Sequence, residues 1–195
     1  MKLHIEEIPW LIEMQQARSK SRIPNTSLQL KYSKQIKINK TMENSKIKDA
    51  LQGIIFRLQD AEKGYEEIIA ASSNSALNSW LQKYASERHN MHRVLEGYVA
   101  ELGGSPEVDT TILGSIHRMF IDIKINNTSA DNEFNAIVDE VERGSTMLID
   151  EYNKVIGEVE MPAKYIATLV QQRDHIQAEV NSLTALKDDF NVVAV

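Results

Sequence analysis

The chain contains no cysteine, which removes disulfides, thiolate zinc sites, iron–sulfur clusters and cysteine nucleophiles together. Only 4 Pro and 8 Gly occur among its 195 residues, too few for the many turns of an all-β fold. No apolar run approaches the roughly 18–20 residues of a membrane span, so no transmembrane segment is expected. Glycine-rich phosphate loops, the serine-hydrolase elbow and the HExxH zinc pattern are all missing. The first residues, Met1-Lys2-Leu3-His4-Ile5-Glu6-Glu7, carry acids where a secretory signal would carry its apolar core, so a cytoplasmic location is expected.

What is present is an ordinary folded composition, 42% hydrophobic and 26% charged, in the range of soluble domains. The net charge of −6 hides an asymmetry: residues 1–41 sum to +5 and residues 42–195 to −11. An acidic main body argues against a nucleic-acid partner, because phosphate binding needs a basic face. Residues 1–41 read as a basic N-terminal extension, disordered or partly helical, with one short helix between Ile8 and Arg18. As a disordered tail it needs no ligand; as a tether it would touch phospholipid or a protein partner. Met42, at the composition break, is an alternative start.

From Ser45 a helical period takes over. Ile47, Leu51, Ile54, Leu58, Tyr65 and Ile68 recur at three- and four-residue steps and make one apolar stripe. Ser72-Ser73-Asn74-Ser75 ends this helix and caps the next, whose stripe includes Leu77, Leu81, Tyr84, Arg88, Met91 and Leu95. Gly103-Gly104 and Pro106 close it. A shorter helix is expected from Thr110 or Thr111 to Ile123. A third long helix starts near Thr128 or Ser129 and stops at Gly157; a fourth opens at Pro162 and reaches Leu186. The order long–long–short–long–long predicts an all-α four-helix bundle over 42–195, with one crossover connection carrying the short extra helix.

Bundles of the ferritin-like kind hold two metal ions with a Glu from each of two helices and a Glu-x-x-His from each of the others. Carboxylates bridge the ions, and the i, i+3 spacing aims both donors inward. Here Glu87 is followed at i+3 by Asn90, and His175 is preceded at i−3 by Gln172, neutral amides where a His and a carboxylate are needed. Counting two turns back from Tyr65 and Tyr152 gives Leu58 and Ser145; other registers offer Glu62 or Glu66, and Glu142. Two cations held by so few carboxylates would be poorly balanced in charge. His89 and His92 share the i, i+3 spacing, which a mononuclear surface metal site could use, but without an inward acid they read first as solvated surface side chains. Gly64 and Gly144 interrupt helices at ~1 kcal/mol each, which suggests close helix–helix approach.

Lys63-Gly64-Tyr65-Glu66, Leu102-Gly103-Gly104-Ser105-Pro106, His117-Arg118, Glu142-Arg143-Gly144 and Asp174-His175 occur in this order and spacing. Their combination resembles a bacterial family of ferritin-like four-helix-bundle proteins of unknown function, over about residues 46–187. The resemblance implies a ferritin-like fold and leaves the activity unassigned. Members of that family usually carry a Glu after the Glu-Arg-Gly motif, where this chain has Ser145.

Two expectations follow. The first is a non-enzymatic structural or interaction protein with a degenerate di-metal site and no cofactor, self-associating or bound to an unidentified protein partner. The alternative is a ferritin- or rubrerythrin-like iron or manganese protein, a ferroxidase-like oxidoreductase, with Glu62, Glu66, Glu87, Glu142 and His175 as its ligands.

Overall fold

Four helices account for nearly all of the described residues because four amphipathic stripes demand burial against one another. A computed structural model describes residues 26–105 and 130–193. They form α1 (Thr26–Ala71), α2 (Ser75–Glu101), α3 (Ala130–Glu158) and α4 (Ala163–Val193), with no strand among the described residues. The expected Ile8–Arg18 helix, the short connector helix with His117-Arg118, and the caps at Thr128 or Ser129 lie outside them.

The chain divides into two compact units, Met1–Glu43 and Asn44–Val195. The described part of the first is helical, since α1 begins at Thr26, well before the Ser45 at which sustained periodicity starts. Leu30, Ile36 and Met42 on this segment are exposed, which is why no apolar stripe announces it: the helix is local, without a core face.

In the second unit the stripes are buried as read. Leu51, Ile54, Ile55 and Leu58 of α1 are fully buried. Together with Leu95 and Val99 of α2, Tyr152 and Val155 of α3, and Tyr165 and Leu169 of α4, they make one apolar cluster. Tyr65 and Ile68, Leu77 and Leu81, Phe134 and Ile137, and Leu183 make a second. The start of α2 thus shares a cluster with the start of α3, and the end of α2 with the end of α3. These two helices run in the same direction, and α1 and α4 run opposite to them.

Helix ends follow their sequence signals. Asn74 has an extended backbone and its side-chain oxygen accepts from the Leu77 N–H at 2.9 Å, satisfying one of the orphan donors of the first turn. At the other end of α2, Gly103 takes φ 75°. Its N–H donates to the Ala100 carbonyl and that of Gly104 to the Val99 carbonyl, both at 2.9 Å, the paired closure that a left-handed glycine permits. Gly104 is needed for space: a Cβ there would meet Lys48 Cδ and Val99 Cγ1 at 2.8 Å. Gly144 corrects the packing reading, because a Cβ added to it meets nothing within 4 Å; no neighbouring helix presses on that position.

Asn74→Ala is expected to lower unfolding free energy by ~1 kcal/mol, and Gly104→Ala by about 1–3 kcal/mol through overpacking. Urea melts of the three proteins check both values; an unchanged midpoint for Gly104→Ala contradicts the packing described.

Candidate functional site

Between the two apolar clusters lies a polar layer contributed by all four helices. Arg88 on α2 and Glu179 on α4 are 0% and 1% exposed. The guanidinium meets the carboxylate with both nitrogens, Nη1 to Oε2 at 2.7 Å and Nη2 to Oε1 at 2.8 Å. The hydroxyl of Tyr65 on α1 donates to Glu179 Oε1 at 3.0 Å and lies 3.3 Å from Ser145 Oγ on α3. Only the Nη2–Oε1 contact has hydrogen-bond geometry; Arg88 Nε and Nη1 and Glu179 Oε2 find no hydrogen-bond partner, a desolvation cost that the attraction of the two charges must offset. One turn along, the Tyr152 hydroxyl donates to Gln172 Oε1 at 2.7 Å. The amide nitrogen of Gln172 in turn donates to the Met91 carbonyl at 3.1 Å.

Burial dominates the electrostatics here. It pushes the Tyr65 phenol up to about 12, with Arg88 pulling the other way, and raises Tyr152 as well. Burial also raises Glu179 above its ordinary carboxylate value, opposed by the Arg88 charge and by hydrogen bonds from Tyr65 and Arg88. Burial acts to lower Arg88, but Tyr65 and Glu179 outweigh it and the guanidinium stays charged.

The residues singled out as ligands lie elsewhere. Because Arg88 takes the inward position, its neighbour Glu87 is turned to the flank and only half-buried. It contacts His175 Nε2 there, beside a surface groove of about 560 Å³ lined by Asn90, Val94, Thr168 and Gln171. Asn90 is exposed and Gln172 buried, and both amides line this groove beside Glu87 and His175. Glu66 is exposed and Glu142 half-buried. Glu62 lies with a different pair of residues, His89 and His92. Among the described residues the five nominated ligands therefore do not gather in one place.

Two readings of the sequence need correction. His92 is not a solvated surface side chain: it is 6% exposed and lies between Glu62 on α1 and Glu96 on its own helix. Glu87 does not face the core. Arg88 and Glu179 were the missed residues, and a signal for them exists. Arg88 falls four residues after Tyr84 on the apolar stripe of α2, and Glu179 falls three after Ile176 and four before Leu183 on that of α4. Opposite charges on two facing stripes are the mark of a buried pair.

The profile of a domain of unknown function, DUF2383, matches residues 46–158. This chain belongs to the DUF2383 family. No curated protein matches it. The DUF2383 match begins one residue before Ile47, the first core residue of α1, and ends at the last residue of α3. Glu179 and Gln172, which complete the polar layer from α4, fall beyond the matched stretch.

Removing the cation tests the layer. Without Arg88, burial and the Glu87 charge are opposed at Glu179 only by the Tyr65 hydrogen bond, so its carboxyl in the folded state titrates further above the unfolded 4.5. A folded state that binds more protons gains stability below the unfolded value and loses it as pH rises through the folded one. Arg88→Met is therefore expected to cost about 3–5 kcal/mol at neutral pH, with the deficit against wild type shrinking as pH falls toward 4.5. Chemical denaturation across that range reads it out; a deficit independent of pH would contradict a buried Glu179 charge.

Proposed function

We propose that the protein is a non-enzymatic, ferritin-like bundle with a structural or interaction role, in which an internal ion pair stands where a di-metal centre would be. The parallel run of α2 and α3 supports the ferritin-like topology, because it requires the chain between them to cross the length of the bundle. Residues 106–129 are long enough for that crossover.

The observation that carries the functional reading is the Arg88–Glu179 pair at the centre of four helices. Two divalent cations need several carboxylates and tolerate no adjacent guanidinium. The groups supplied here are one cation, one carboxylate already paired with it, the Tyr65 and Tyr152 phenols, Ser145 and Gln172. This donor set does not fit a dinuclear metal centre, and no chemistry is routed through one. Ser145 is consistent with the same accommodation: a Glu at that position would bring a second acid against the Tyr65 hydroxyl and Glu179.

An iron or manganese protein of ferritin or rubrerythrin type is the second reading, favoured by the contact between Glu87 and His175. The two readings differ in what the protein carries when purified without chelators. The structural reading expects neither iron nor manganese in near-stoichiometric amount, iron(II) oxidation no faster than in buffer, and no change in either on Glu87→Ala. Near-stoichiometric iron that is lost on Glu87→Ala would overturn it. A cytoplasmic location and self-association belong to the same proposal, and light scattering of the purified chain checks the second.

A further inference from the structure

We propose that Glu62, His89 and His92 form a mononuclear site for a divalent transition-metal ion of the zinc class, on the α1–α2 face and apart from the bundle centre. This goes beyond the structural reading above and does not rest on it.

His89 and His92 stand one turn apart on α2, so both imidazoles leave the helix on the same side, with ring centroids 4.9 Å apart. Glu62 reaches them from α1 and divides its carboxylate between them, Oε1 at 3.0 Å from His89 Nδ1 and Oε2 at 2.9 Å from His92 Nε2. One donor atom from each of the three residues lies within 4.8 Å of the others. Tetrahedral zinc, at about 2.0–2.1 Å from each donor, sets its ligands about 3.3 Å apart, so donors that now lie within 4.8 Å of one another close around an ion by side-chain movement of about 1.5 Å or less.

The hydrogen-bond arithmetic points the same way. A neutral imidazole has one N–H and one lone pair, and a carboxylate only accepts. Yet both nitrogens of His92 face carboxylate oxygens, Nδ1 toward Glu96 at 2.8 Å and Nε2 toward Glu62 at 2.9 Å. Neutral His92 can satisfy one of these and must set its lone pair against the other. A cation bound at Nε2 removes that conflict. Glu96 is itself anchored, accepting from Arg93 Nη1 at 2.8 Å and from Gln59 Nε2 at 3.4 Å. It thereby fixes the Nδ1–H tautomer that presents Nε2 to a metal, the outer-shell carboxylate that metal-binding histidines commonly have. Two imidazoles and one carboxylate suit zinc and its neighbours rather than magnesium or calcium, which take oxygen donors. His89 is 54% exposed at its side chain, so a fourth position faces solvent and remains open to water or a small anion.

The test is a calorimetric titration of the chelator-stripped full-length chain with zinc chloride at pH 7.5, alongside histidine nitrogen NMR. The proposal expects one equivalent bound and shifts at His89 and His92. His89→Ala and His92→Ala should each weaken binding at least tenfold, and Glu96→Gln by tenfold or more. Glu87→Gln and His175→Ala should leave affinity unchanged, and magnesium chloride should give no saturable heat. Absent or sub-stoichiometric binding, binding that survives both histidine changes, or loss on His175→Ala would each overturn it. The exposed position of His89 keeps the test decisive even where His92→Ala fails to fold. A failed zinc titration leaves the Glu87-dependent iron measurement, and with it the structural reading, untouched.

Discussion

A charged guanidinium placed among aliphatic side chains has few tolerable surroundings, and those around Arg88 determine much of the bundle's interior. Its two terminal nitrogens occupy both oxygens of Glu179, which requires α2 and α4 to lie side by side at that level. The remaining capacity of Glu179 Oε1 is taken by Tyr65, which brings in α1, and Tyr65 in turn reaches Ser145 on α3. A buried pair of this kind contributes little net stability compared with an apolar replacement, but breaking it is costly. Its consequence is register: a one-turn slip of α2 or α4 would strand a charge, and one of α1 or α3 would strand the Tyr65 or Ser145 hydroxyl. The apolar clusters on either side supply the burial energy, and the polar layer selects one alignment among those that would bury the stripes.

On the reading proposed above, the same layer takes the place that metal chemistry would have in a ferritin-like bundle. A dinuclear centre and a salt bridge meet the same need, balancing charge inside four helices, with opposite casts of residues. Where the centre uses acids around cations supplied from solution, this protein supplies its own cation from α2. The amides that look like failed ligands then divide. Gln172 is committed to Tyr152 and to the Met91 carbonyl, whereas Asn90 faces solvent. Among the described residues the one cluster with donor types suited to a metal, Glu62 with His89 and His92, sits on the flank, where an ion would not displace the core.

The sequence displays the fold clearly. The three- and four-residue recurrence from Ile47 to Ile68 and from Leu77 to Leu95, the Asn74 cap and the Gly103-Gly104 closure each have a local cause and appear as read. Its start was less legible, because α1 extends back to Thr26 through a segment whose apolar residues are exposed and leave no stripe. The site was misread for a related reason. Spacing gives the angle between Glu87 and Asn90 but not which of Glu87 and Arg88 turns inward, and a difference of one residue rotates a side chain by about 100°. Likewise Glu62 lies far in sequence from His89 and His92, and only the pairing of α1 with α2 brings the acid to the imidazoles.

The central claim is that the interior charges balance each other, Arg88 against Glu179. A double-mutant cycle measures this directly through the unfolding free energies of wild type, Arg88→Met, Glu179→Leu and the combined variant. The account predicts strong coupling, with the double change costing at least 2 kcal/mol less than the two single changes added together. Additivity within about 0.5 kcal/mol would show that the two side chains do not depend on one another, and would contradict it.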